Sequence, residues 1–433
     1  MNDQPRIQPN LPPQNPPPAE SAPLELPAVI QALLQPAMYD HPVQPPFSVL
    51  QTHAAYVVLT GEYAYKVKKP VNLGFLDFST LEKRHFFCHE ELRLNSRHTP
   101  DVYLAVVPIV AHHGAFRLGA GAGEIVDYAL KMRQFPQSGL LSALFARGEL
   151  TLEHMTQLGQ RVAAMHALDP TDLAIQAFGA LDAIGQVIAD NYRSGQAYIG
   201  RDQTAQQHAE TKAFTDALLR DHPEWFAQRQ ADGMIRECHG DLHLNNVYYQ
   251  AGEMHPFDCI EFNPAFRNID VLYDVAFMLM DLDVREHAIF ANQLLNDYLA
   301  ATGDYGLLSV LDLYLVYRTI VRAKVARLAA DDMAQDPEAH HRALLHLDLA
   351  RRYLTPRAAP ALYITHGVSG SGKSWVATRI ARARGFVHVR SDHERRRLAG
   401  LAPAAASHSE QDQGLYAAPH STPRTNAWRS WRA

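Results

Sequence analysis

Apolar residues along the chain change their period several times, and each change marks a change of predicted structure. Tyr56-Val57-Val58-Leu59 and Tyr63-Ala64-Tyr65-Lys66-Val67-Lys68 are β-rich runs either side of Thr60-Gly61-Glu62, which predicts a hairpin within 47–68. A helix is expected over about 80–97, strands over 102–110 and 126–132, and a linker at Phe135-Pro136. After that linker the period becomes helical: Met155, Leu158, Val162 and Met165 recur at spacings of three, four and three, so one face of that helix is buried. The helical period breaks between Arg236 and Phe262 and returns from Val271 to Leu328.

A small β-rich lobe (about 45–132) followed by a larger helical lobe (about 136–355) predicts an α+β bilobal fold over 24–355. Its start is a short helix over 24–34, stopped by Pro36. Residues 1–23 are crowded with proline and hold too few apolar groups to offset the entropy of ordering, so they read as a disordered tail. A second linker is expected at Pro356–Pro360. Beyond it, Ala361-Leu362-Tyr363-Ile364-Thr365 reads as a buried strand feeding a glycine-rich turn, and Phe386 to Asp392 as a second strand ending in an acid. Only about forty residues follow Asp392, so 361–433 is expected to be a partial, truncated α/β P-loop NTPase domain.

The chain has 433 residues, 47% of them hydrophobic and 20% charged, which excludes disorder throughout. A net charge of -6 supplies no basic field for a polynucleotide, so a small-molecule substrate is expected and a nucleic-acid partner is not. Cys88, Cys238 and Cys259 are odd in number and lack metal-ligand spacing, which points to a reducing compartment. No signal-like leader or apolar run of membrane-span length is evident, so no membrane partner and a cytoplasmic location are expected.

The strongest chemical signal is Cys238-His239-Gly240-Asp241-Leu242-His243-Leu244-Asn245-Asn246-Val247, an H-x-D followed by four residues and an asparagine. Phosphoryl transfer needs a carboxylate to orient an attacking hydroxyl and a nearby neutral oxygen for Mg²⁺. Asp241 and Asn246 supply those two groups. Asp258, in Pro256-Phe257-Asp258-Cys259-Ile260-Glu261-Phe262, is the natural second metal ligand. Lys66 is placed to neutralise nucleotide phosphates from a strand, with Lys68 competing for that role. Glu91 shares a helical stripe with Phe87 and Leu94 and is expected to hold the lysine, with Glu90 the close alternative. Asp274 reads as a structural carboxylate under the loop, and His239 as a packed residue. Arg318 and Arg322 share a helix face, which reads first as a solvated stripe or an internal salt bridge; with His243 they are candidates for substrate contact.

These motifs resemble the aminoglycoside phosphotransferase and choline-kinase branch of the protein-kinase-like superfamily, in the subgroup whose kinase-like domain precedes a P-loop domain. The resemblance is carried by Tyr63 to Phe78 and Phe257 to Asp281 and covers about 24–354. It implies a bilobal protein-kinase-like fold, ATP and Mg²⁺ as cofactors, Asp241 as catalytic base or orienter, Asn246 and Asp258 as metal ligands, and Lys66 with Glu91 as the phosphate-positioning pair. It also implies a hinge from Met132 to Phe135 against the adenine. Separately, Gly367-Val368-Ser369-Gly370-Ser371-Gly372-Lys373-Ser374 fits G-x-x-x-x-G-K-S, with Gly367, Gly370 and Gly372 shaping the loop, Lys373 reaching phosphates and Ser374 a cation. The reading is an ATP-dependent phosphotransferase acting on a small-molecule hydroxyl. A nucleotide-binding regulatory module and a P-loop kinase regulated by the front domain are the alternatives.

Overall fold

The computed structural model describes residues 26–332, 337–355, 361–368 and 370–399; the tail at 1–23, the linker at 356–360 and the chain from 400 onward lie outside the described residues. Helix α1 (Ala28–Leu33) starts directly after Pro27, so it is shorter than the sequence pattern suggests. A six-stranded antiparallel sheet follows, built from β1 (Ser48–Gln51), β2 (Ala55–Leu59), β3 (Tyr63–Lys68), β4 (Tyr103–His112), β5 (Ala115–Leu118) and β6 (Glu124–Arg133), in the order β1-β2-β3-β6-β4-β5. The expected hairpin is β2–β3, with Gly61 at φ +109 in its turn, where a side chain would be strained. Strands β1 and β5 differ from expectation: they are four-residue edge strands that bury no side chain fully, too short for an alternation to stand out.

Because side chains alternate across a strand, β3 presents Tyr65 and Val67 to one face and Lys66 and Lys68 to the other. Tyr65 and Val67 join Ile30 and Leu33 of α1, Val58, Ile109 and Ala129 in one core. Helix α2 (Leu81–Ser96) packs against β4 and β6, with Thr80 Oγ1 accepting the Lys83 N–H as its N-cap. It buries Cys88, Glu91 and Leu94, and Arg84 reaches across to Asp127 of β6 at 2.8 Å.

The second lobe is helical. Its elements are α3 (Leu141–Ala146), α4 (Leu152–Leu168), α5 (Leu173–Gln176), α6 (Leu181–Gly195), α7 (Ala205–Asp221), α8 (Pro223–Ala231), α9 (Pro264–Arg267), α10 (Val271–Val284), α11 (Ala288–Thr302), α12 (Leu311–Asp332) and α13 (Pro337–Tyr353). Two short antiparallel pairs interrupt them: β7 (Ile235–Glu237) with β10 (Asn268–Asp270), and β8 (Val247–Gln250) with β9 (Glu253–Pro256). Helix α4 packs on α11 and buries Met155, Leu158, Val162 and Met165, the stripe read from the sequence. Helix α10 is buried on all sides, between α11 and α12, and forms the floor under the loop that joins β7 to β8. No single helix among the described residues is long and apolar enough to cross a membrane; the bent pair Leu173–Gly179 and Leu181–Tyr198 passes by composition, but its Ile188 and Tyr192 sit in the lobe core.

The C-terminal segment differs from expectation. Helix α14 (Lys373–Arg384) and helix α15 (Ser391–Leu398) form, but 361–368 and 386–390 pair in no strand ladder among the described residues. Leu362 and Ile364 are about four-fifths exposed (80% and 82%). A strand apolar on both faces needs neighbours on both sides to be buried, and the described residues supply none. The segment instead leans on α11: the Asn292 and Asn296 amides donate to Phe386 O at 3.1 Å, His388 N–H donates to Asn296 Oδ1 at 2.6 Å, and Arg382 reaches Gln293 at 2.5 Å.

Candidate active site

Lys66 Nζ donates to Glu91 Oε1 at 2.7 Å and to Asp258 Oδ1 at 2.5 Å, which joins the sheet, α2 and the second lobe at one point. Lys68, two residues on and on the same strand face, donates to the other oxygen of Glu91 at 2.7 Å and to Glu261. Lys68 is sealed at 1% exposure, whereas the Lys66 side chain keeps 15% and faces Asp258. Burial alone would push Glu91 upward, but Lys66 and Lys68 outweigh it and hold its carboxyl at about 2. Burial likewise opposes the charge on Lys66, yet Asp258 and Glu91 hold its pKa well above the ordinary lysine range. Glu261 shares Lys68 with Glu91 and is pushed up by burial. Glu90, the alternative partner, turns the other way, to Arg93 and Arg267.

The loop after β7 is held from below by two carboxylates seven residues apart on α10, two turns of one helix face. Asp274 accepts the N–H groups of His239 and Gly240, both at 2.8 Å, the structural role read for it from the sequence. Asp281 accepts the Leu244 N–H at 3.0 Å; the sequence reading missed it, although its spacing from Asp274 was a usable signal. His239 is buried: its Nδ1 accepts the Asp241 N–H at 3.2 Å, so Nε2 carries the proton toward Phe257 O at 2.8 Å. Gly240 sits at φ +83, and a Cβ there would lie 2.5 Å from Phe266 O.

On this support, Asn246 Nδ2 donates to Asp241 O at 2.9 Å and to Asp241 Oδ2 at 3.1 Å. That leaves Asn246 Oδ1 with no hydrogen bond among the described residues and open to a cation. His243 Nε2 lies 3.4 Å from Asp241 Oδ2 and Arg318 lies 3.5 Å from Oδ1. Burial would raise the Asp241 carboxyl, but His243, Arg318 and Arg322 hold it well below the usual carboxylate range. Asp258 follows β9 with φ +66, unusual for a residue with a side chain, and its N–H donates to Tyr103 Oη at 2.9 Å. Its side chain is 41% exposed. Met132 pairs with Ala64 and Tyr103 in the sheet, and Phe135 stacks on Tyr248 with ring centroids 4.0 Å apart.

Residues 103–311 match the phosphotransferase enzyme family. The chain carries a phosphotransferase-family domain. Uncharacterized proteins of Mycobacterium tuberculosis and Mycobacterium bovis are each 29% identical over 378 residues, covering 87% of this chain and 74% of theirs. Among solved structures, a choline/ethanolamine kinase family protein from Mesorhizobium loti is 12% identical with a TM-score of 0.43, covering 75% of this chain and 98% of that one. The GDP complex of aminoglycoside 2'-phosphotransferase-IIIa is 12% identical with a TM-score of 0.45, covering 75% and 97%.

Downstream of the phosphotransferase domain, residues 362–431 match an AAA domain. Its loop glycines Gly367, Gly370 and Gly372 all adopt positive φ (+149, +79, +82), and α14 starts at Lys373. Lys373 Nζ donates to Val368 O at 2.5 Å, and Ser374 lies in the first turn of α14. None of these residues approaches Asp241 or Lys66 through a hydrogen bond or ion pair, so the two motifs stay separate among the described residues. Of the two readings of Arg318 and Arg322, a solvated stripe or an internal salt bridge, Arg318 takes the second: it is 4% exposed, lies 3.5 Å from Asp241 Oδ1 and sits over the Phe277 ring at 3.4 Å.

Proposed function

We propose that this phosphotransferase is an ATP- and Mg²⁺-dependent kinase acting on a small-molecule hydroxyl, with the front domain, about 24–355, carrying the chemistry. What supports this reading most is the single contact of Lys66 with both Glu91 and Asp258, residues 25 and 192 positions away in the chain. That contact puts a cation suited to phosphate beside a carboxylate one residue after Phe257, whose N–H donates to Asn246 O at 3.0 Å.

In this reading Asp241 orients the acceptor hydroxyl and takes its proton, and its depressed pKa keeps it ionised at neutral pH. The donor set fits a hard cation, since Asn246 Oδ1 and the Asp258 carboxylate are both oxygen ligands. A bound Mg²⁺ would neutralise charge on the transferring phosphoryl group. Lys66 neutralises phosphate oxygens from a rigid strand, and Glu91 fixes its direction. Rate enhancement then comes mainly from positioning and preorganised charge.

The P-loop segment, 361–433, is assigned no part in that step. The test is ADP release by the purified full chain with a panel of hydroxyl acceptors. Asp241→Asn is expected to lower acceptor-dependent turnover by about a hundredfold or more while the melting temperature stays near wild type, and Lys373→Ala is expected to leave it intact. Unchanged turnover in Asp241→Asn, or its loss in Lys373→Ala, contradicts the assignment.

A further inference from the structure

Asp241 is contacted differently on its two oxygens. The amide of Asn246, the candidate metal ligand, bonds Oδ2, and His243 Nε2 lies 3.4 Å from that same oxygen, whereas Arg318 lies against Oδ1. The nucleotide-side groups, Lys66, Glu91 and Asp258, belong to β3, α2 and the turn after β9, and none of them bonds α12. The Oδ1 side is therefore the acceptor side, and α12 lines it.

That side carries more positive charge than its carboxylates use. Arg318 and Arg322 are one helical turn apart on α12 and both lie over the Phe277 ring, at 3.4 and 5.6 Å; the His243 ring meets the same phenyl at 5.1 Å. Arg318 donates to Tyr273 Oη at 2.9 Å, and its Nε is buried with no partner. Arg322 is partly exposed and forms no hydrogen bond or ion pair among the described residues. Asp281, the other acid here, is taken up by the Leu244 N–H and by Arg285. Asp241 and Asp281 stand near Arg322 with attractive sign, and Arg318 and Arg285 with repulsive sign. Arg322 thus offers a guanidinium not taken up by any carboxylate among the described residues, and an arginine fork matches a carboxylate or phosphate.

We infer that the phosphate acceptor of this site is an anion, a hydroxy acid or phosphorylated polyol whose carboxylate or phosphate is seated on Arg322 and the free edge of Arg318 while its hydroxyl faces Asp241. The inference deepens the kinase reading above and rests on it for the hydroxyl. Arg322 is the specificity residue. Arg318 also positions Asp241, through the contact at Oδ1.

The test is binding to the full chain, so that it does not depend on turnover. With Mg²⁺ and ADP saturating, gluconate, glycerate and glycerophosphate are titrated calorimetrically against their neutral counterparts, glucitol and glycerol. At least one anion is expected to bind about tenfold or more tightly than its neutral counterpart. Arg322→Gln is expected to erase that difference and Arg322→Lys to restore part of it. Carboxylate and phosphate probes separate the two headgroups. Arg322 is partly exposed, so its replacement is compatible with folding, which melting curves verify. Binding by no anion, equal binding by neutral polyols, indifference to Arg322→Gln, or competition between the anion and ADP each overturn the inference. Anion binding at Arg322 with no phosphoryl transfer would instead remove the kinase reading and leave the anion site. Transfer to neutral or cationic acceptors alone would do the reverse.

Discussion

Glu91 accepts a lysine on each of its carboxylate oxygens, Lys66 on Oε1 and Lys68 on Oε2, both at 2.7 Å. One buried acid thus fixes two alternate residues of β3, and the two cations compensate the cost of burying it.

Replacing Glu91 by Gln therefore leaves two ammonium groups short of charge. We expect a loss of about 3–5 kcal/mol in urea denaturation, the usual cost of breaking a buried pair from one side. Glu90→Gln is expected to cost about 1 kcal/mol or less, because Arg93 is half-exposed and keeps Glu237. The reverse order would mean that Glu90 is the structural partner.

Asp258 holds φ +66, a region asparagine also enters readily. Asp258→Asn should keep the backbone and the melting temperature while removing the charge that a cation needs. The Mg²⁺ concentration for half-maximal turnover is expected to rise about tenfold or more. A Mg²⁺ dependence matching wild type would exclude Asp258 from metal binding.

Gly240 and Gly200 provide a matched pair, at φ +83 and +86. A Cβ on Gly240 meets Phe266 O at 2.5 Å, while one on Gly200 meets nothing within 4 Å. Gly200→Ala should lose only the backbone term, about 1 kcal/mol. Gly240→Ala should lose about 1–3 kcal/mol more and most of the turnover, since the loop carrying Asp241 must move. Equal melting temperatures for the two variants would contradict this.

His346 of α13 is buried near the arginine cluster, and burial first, then Arg322, push its pKa down to about 3 from 6.5 against the pull of Asp281, with Arg285 and Arg342 adding smaller pushes. The unfolded chain takes up this proton near pH 6.5 and the folded chain only near 3. More protons are then bound unfolded than folded across that window, so stability rises with pH there and falls as acid is added. We expect His346→Leu to flatten the pH dependence of the melting temperature between about 6.5 and 3. A slope identical to wild type would show that the imidazole is already charged in the fold.

Much of the site was legible because its residues are close in sequence. Asp241 and Asn246 lie five apart on one loop, so their spacing implied one chemistry, and the structure joins them by a hydrogen bond of 3.1 Å. The stripe that selected Glu91 over Glu90 follows from helical periodicity, and Glu91 is the one buried at 0%. For Arg318 and Arg322 a solvated stripe and an internal salt bridge both stayed open, because a helix face says nothing of what packs against it; the structure puts Arg318 3.5 Å from Asp241. The strands expected at 361–365 and 386–392 failed for a related reason: strand character is local, but a ladder requires partners.

The amino-acid sequence by itself determined the two lobes, the loop that joins Asp241 to Asn246 and the buried face of α4, since 2.0 and 3.6 residue periods are set by backbone geometry alone. Tertiary structure decided which cation meets which anion: that Lys66 faces Asp258 while Lys68 is sealed, and that α12 brings two guanidinium groups to Asp241. Those contacts span 192 and 77 chain positions. At such separations pairing is set by how the lobes pack, which local periodicity does not encode.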